Sequence, residues 1–94
     1  MKQIQRKQIK VYNGLEGAAL GILVSDRYDH LEIQERLERY ATIREKAQQF
    51  REAHPELRSE LEDMAKHYDV EGHTAAHKLI DRAMNTSLHR HHVK

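Results

Sequence analysis

Histidine is the residue type in this chain with the clearest capacity for chemistry, since eight occur among 94 residues. His73 and His77 are four residues apart, and at that spacing two imidazoles on one helix face can share a metal ion. A third ligand would have to come from Asp69, Glu71, His67 or the C-terminal histidines, and nothing in the sequence fixes these beside the pair. We therefore predict no metal site and no cofactor. The alternative interpretation is an imidazole-rich surface that gains positive charge in mild acid.

The other polar residues do not form a recognisable catalytic motif. Ser25, Ser59 and Ser87 lack the flanking glycines of a nucleophile elbow, and the glycines within 14–21 lack the Lys and Ser/Thr of a phosphate-binding loop. The absence of cysteine excludes a thiol nucleophile and a Cys-ligated zinc site, and it fits the reducing cytoplasm. We expect a non-enzymatic, cytoplasmic protein.

The net charge of +1 hides a separation of charge along the chain. Residues 1–12 carry four basic residues and no acid, residues 13–72 carry eight basic and fourteen acidic residues, and residues 73–94 carry four basic residues, one acid and five histidines. Basic ends around an acidic middle are suited to a polyanion such as DNA, because Lys and Arg neutralise phosphates and release counterions. The alternative is a set of solvated ends attracted to the protein's own acidic middle.

Residues 57–85 contain a local pattern of small and aliphatic residues, with Ala65, Val70 and Ala75 at five-residue steps. This pattern resembles the helix-turn-helix unit of bacterial DNA-binding regulators, in which the second helix lies in the major groove. The chain departs from that family at Asp69, where a turn glycine is usual, and at His77, where a core residue is usual.

The resemblance implies a small DNA-associated regulatory protein, in which residues after the turn face phosphates or base edges. The basic N-terminal residues would extend the same surface. The implied DNA-binding residues are Thr74, His77, Lys78, Arg82 and Arg90, together with Lys2, Arg6, Lys7 and Lys10. A different class of function remains open: a small helical adaptor or inhibitor that binds another protein, of the kind that phage and mobile elements encode, through its long helix or its acidic face at 32–62.

These residues must be positioned by an all-α fold, because only one Pro and four Gly are available to interrupt helices. We predict a single domain, residues 1–94, built as a small bundle of about four helices. A basic arm (1–12) would precede the first helix, which we expect to begin near Gly14 after a capping box formed by Asn13 and Glu16. The apolar run at 17–24 is too short to cross a membrane.

The longest predicted helix covers residues 29–53, with alternating Glu and Arg, including Arg36 and Arg44, on a solvent-facing side. At about 1.5 Å per residue its length would leave one end free to pair with a second copy, so a homodimer is one alternative. Pro55 should end it and start a third helix. A turn at 69–72 and a fourth helix over 73–88 complete the prediction, followed by a His-rich tail (89–94). The residues predicted to point inward include Val70 in this turn and Ile80 and Met84 in the fourth helix.

Overall fold

The computed structural model describes the backbone of residues 3–92 and the side chains of residues 5–85. Three α-helices account for most of the described chain: α1 (Gln3–Val24), α2 (Ile33–Ala53) and α3 (Arg58–His92). Short 3-10 helices at Asp26–Tyr28 and Pro55–Leu57 lie in the two connections. No strand occurs within residues 3–92, so the predicted all-α class is confirmed, with three helices instead of about four.

The predicted N-terminal arm is wrong, because α1 already begins at Gln3. Gln, Lys and Arg are good helix formers, and Ile9, Tyr12 and Leu23 supply a continuous inward face at helical spacing. The predicted start near Gly14 assigned a helix boundary to a glycine that α1 accommodates in its interior. Since α1 has no Pro, nothing in its sequence forces an interruption.

The two connections reverse the chain, so the helices run up, down and up. In the first connection the hydroxyl of Ser25 accepts a hydrogen bond from the Arg27 amide at 3.2 Å. The helix that follows begins at Ile33, four residues later than predicted, and ends at Ala53 as predicted. Pro55 interrupts the chain as expected, since it lacks a donor and fits the first turn of the helical segment that follows.

The predicted turn at 69–72 is not present, because α3 continues without interruption from Arg58 to His92. The third and fourth predicted helices are therefore one helix, and the helix-turn-helix geometry is not formed. Gly72 does not adopt a positive φ. It is buried against α2 instead, where a Cβ atom would lie 1.9 Å from the Tyr40 hydroxyl oxygen. This glycine leaves room for the Tyr40 side chain against α3 and does not reverse the chain.

Two apolar clusters hold the bundle together. At one end, Tyr12 of α1 and Ala47 of α2 pack with Leu57 and Leu61. At the other, Leu23 packs with Ala75 and Leu79, together with half-buried residues from the start of α2. Helices α1 and α3 are therefore parallel, and α2 is antiparallel to both. Because Leu79 already lies level with the end of α1, the rest of α3 extends past the bundle, consistent with a molecule 62 Å long and 20 Å wide.

Three residues predicted to point inward are exposed. The exposed fractions are 66% for Val70, 38% for Ile80 and 57% for Met84. Splitting the segment into two helices had assigned these side chains to a core between them. In one continuous helix the face toward the bundle core consists of Leu61, Ala65, Ala75 and Leu79. The three exposed residues lie on a different face of the same helix.

Candidate functional site

A buried carboxylate lies among cationic side chains in the interior of the bundle. Glu16 is fully buried, and its Oε1 atom lies 2.9 Å from Nε of Arg44. Its Oε2 atom lies 3.6 Å from Arg51 and accepts a hydrogen bond from the Tyr12 hydroxyl. Arg51 in turn donates to the Tyr12 oxygen at 2.8 Å. The Arg44 guanidinium also pairs with Asp69 on α3, so the cluster connects all three helices.

The electrostatics of this cluster favour a fixed structural role. Burial and the hydrogen bond to Glu16 raise the pKa of Tyr12 to about 12, with Arg51 partly opposing the shift. Burial lowers the pKa of Arg44, but the hydrogen bonds to Tyr40 and Asp69 and the charge of Glu16 outweigh it, so the net shift is upward. The phenol therefore stays protonated and the guanidinium charged at neutral pH. The predicted capping role of Glu16 is wrong, although its position as the single charge in a mostly apolar stretch was a usable signal.

A second buried cation completes the end of α1. Arg36 is 4% exposed, and its guanidinium donates to the backbone oxygens of Ile22 at 2.9 Å, Leu23 at 3.2 Å and Ser25 at 3.1 Å. It also pairs with Asp29 at 3.3 Å. A cation at a helix C-terminus donates hydrogen bonds to unpaired carbonyls and interacts favourably with the negative end of the helix dipole. The prediction that Arg36 faces solvent is therefore wrong, and the prediction for Arg44 is wrong as well.

The sequence-predicted DNA-binding residues on α3 are exposed. Thr74, His77, Lys78 and Arg82 lie within about two turns of one another on the outer side of the helix. Asp81 is exposed among them, which reduces the local positive charge. The Arg90 side chain lies outside the described part of the structure.

The basic residues of α1 do not join this surface. Arg6, Lys7 and Lys10 are exposed in the first turns of α1, whereas Lys78 lies beside the cluster that contains Leu23. Sixteen residues of helix between Lys7 and Leu23 separate the two basic groups by about 24 Å along the bundle axis. The single anion-binding surface predicted from the sequence is therefore divided between the two ends of the bundle. Lys2 lies outside the described residues.

The imidazoles of His73 and His77 lie side by side on α3. Their ring centroids are 6.0 Å apart, and the ring planes differ by 24°. Both side chains are exposed. Among the side chains described, no group of three or more His, Asp or Glu residues converges on a possible ion position, so the described residues offer two ligands there.

The histidine pair forms part of a longer row of exposed side chains, which we name the α3 stripe. Successive members are three or four residues apart, as in the contact face of a coiled coil. The α3 stripe consists of Val70, His73, His77, Ile80 and Met84. Large apolar side chains that share one exposed helix face are typical of a surface that binds another molecule.

Comparisons with known proteins do not assign the chain to a family. A scan against protein-family models finds no match, and searches of curated proteins and of solved structures also find none. In the described part of the chain, none of the helices combines the length and apolar character that crossing a bilayer requires.

Proposed function

We propose that the protein is a small non-enzymatic adaptor or inhibitor that binds another protein along the α3 stripe. The observation that carries this proposal is the exposure of Val70, Ile80 and Met84 on one face of a helix that extends past the rest of the bundle. An amphipathic helix can insert such residues, at three- and four-residue spacing, into an apolar groove of a partner. The partner surface would therefore be a groove lined by apolar side chains, about as wide as one helix.

The charges near the α3 stripe support a polypeptide partner more than a polyanion. Lys66, one turn before Val70, and Asp81, next to Ile80, are both exposed on α3, so both signs of charge border the contact. A mixed border of this kind can form ion pairs around an apolar centre, and interfaces between proteins usually combine an apolar centre with a polar rim.

Affinity capture with surface variants tests this proposal. Tagged full-length protein would be incubated with nuclease-treated lysate of its source cells, and the recovered proteins would be quantified. We expect a specific partner to be recovered with the unmodified chain, and its recovery to fall at least tenfold with Val70→Asp or Met84→Asp. Val11→Asp is the matched control, because Val11 is 49% exposed on α1, outside the stripe. Equal recovery with all three variants would contradict the proposal.

DNA association is the second candidate function, supported by the exposure of Thr74, His77, Lys78 and Arg82 on the same helix. Since a single continuous helix carries them, contacts would be made mainly to phosphates and would depend strongly on salt. Fluorescence anisotropy with a labelled duplex at two salt concentrations measures this directly. Under this candidate, Lys78→Glu abolishes binding and Met84→Asp does not. In the capture experiment, a loss of partner recovery with Met84→Asp but not with Lys78→Glu favours the adaptor.

A further inference from the structure

We propose that the His73–His77 pair binds a zinc ion that is shared with the same pair of a second copy of the chain. The two imidazoles already lie on one face, with ring centroids 6.0 Å apart. Two ring nitrogens each about 2.1 Å from one ion bring the centroids to roughly 5 Å, so closure requires a side-chain rotation and no backbone movement. Among the described side chains no third ligand converges with the pair, so further ligands are needed, and we assign them to a second copy of the chain.

A second copy supplies the missing ligands with the chemistry that zinc prefers. Two pairs of imidazoles give four nitrogen ligands, which suit the tetrahedral coordination of a structural zinc site. Identical pairs from two copies also satisfy the requirement of a two-fold symmetric interface, in which the same surface contributes from both sides.

The residues around the pair fit this arrangement. A two-fold axis passing midway between His73 and His77 makes the two α3 helices antiparallel. Residues whose numbers are equally far from 75 then face each other, so Val70 lies opposite the second copy's Ile80. These side chains, 66% and 38% exposed in the single chain, would be covered in the dimer. The apolar contact alone involves few residues, whereas a stable interface usually contains roughly 20–30 residues per partner, so the ion is needed to hold it.

The zinc-linked dimer does not depend on the partner-binding proposal, since purified protein and zinc are sufficient to form it. If both proposals hold, the second copy joined through zinc would cover the α3 stripe and compete with the protein partner. Transition metals that prefer imidazole, such as nickel and copper, would be bound by the same ligands.

Sedimentation velocity with added zinc is the decisive measurement. The C-terminal histidines are an alternative source of ligands, so the reference protein is the full chain carrying His89→Gln, His91→Gln and His92→Gln. We expect it to be a monomer with a chelator present, and to become a dimer on addition of half an equivalent of zinc. His73→Gln and His77→Gln should each lower the apparent zinc affinity at least tenfold and abolish the dimer. His67→Gln, at an exposed histidine of α3 outside the stripe, is the matched control.

The alternatives to this proposal have distinct outcomes. A dimer that persists in chelator would remove the metal from the interaction, and a monomer that binds one zinc per chain would remove the second copy. Zinc binding that disappears in the reference protein would assign the metal to the C-terminal histidines. Circular dichroism must show unchanged helicity in each variant, so that a loss of dimer is not caused by unfolding.

Discussion

Removing the carboxylate of Glu16 should be among the most damaging single substitutions in the bundle. Glu16→Ala leaves two guanidinium groups without their shared counter-ion, 2.9 and 3.6 Å from the removed oxygens. Breaking a buried ion pair from one side costs about 3–5 kcal/mol. The side chains of Arg44 and Arg51 are 19% and 23% exposed, so water recovers part of this, and Arg44 keeps its pairing with Asp69. We therefore expect a loss of about 3 kcal/mol.

Urea denaturation followed by circular dichroism measures the loss. With a denaturant slope of about 1.5 kcal/mol per molar urea, 3 kcal/mol lowers the midpoint by about 2 M. Glu35→Ala is the matched control, because Glu35 forms a 3.2 Å ion pair with Arg39 in which both side chains are about half exposed. That substitution should cost less than about 0.5 kcal/mol, as exposed ion pairs usually do. If the two substitutions cost the same, the cluster does not stabilise the fold as argued.

Four further substitutions or conditions have expected outcomes, each measured by chemical or thermal unfolding. Arg36→Ala should cost about 2–4 kcal/mol, because three carbonyls at the end of α1 lose their buried donor. Gly72→Ala should destabilise despite a gain of about 1 kcal/mol in helix propensity, and the same change in a Tyr40→Leu background should be neutral or stabilising. Gly14→Ala should stabilise by about 0.5–1 kcal/mol, since a Cβ there has no neighbour within 4 Å. The pKa of Tyr12 is about 12 in the folded state and 10.0 in the unfolded state, so the unfolded state loses its proton first as the pH rises. The free energy of unfolding should therefore fall by about 2–3 kcal/mol between pH 10 and 12. Tyr12→Phe should remove this dependence on pH.

The all-α class, the boundary at Pro55 and part of the core could be predicted from local signals. Leu57 and Leu61 were predicted to point inward, and both are buried. These predictions succeed because helical spacing and the missing amide of proline act within a few residues of the chain. The burial of Glu16 and Arg36 could not be predicted in the same way. It depends largely on partners 11 to 35 residues away, and a Glu or Arg in a helix is usually solvated.

The incorrect prediction of a turn at 69–72 has a specific physical cause. Asp69 and Gly72 are residues that favour turns, but a glycine within a helix costs only about 1 kcal/mol relative to alanine. Packing of Leu79 against Leu23, together with the ion pair between Asp69 and Arg44, supports the helix on both sides of the glycine. Tertiary contacts therefore decide the local structure. The sequence pattern detected a special position at Gly72, and its role is the close approach of Tyr40.

The continuity of α3 also decides which partners its outer face can take. In a helix-turn-helix unit the second helix enters the major groove while the first crosses the backbone, which requires the two helices to meet at a large angle. In this chain both halves belong to one continuous helix, and the residues around Lys78 would have to contact DNA without that support. An apolar groove on another protein, or a second copy joined through zinc, requires only one helix face that is exposed and extended. The α3 stripe meets that requirement with Val70, Ile80 and Met84 around the histidine pair, so the continuity that removes the DNA-binding motif is the feature that makes the stripe available.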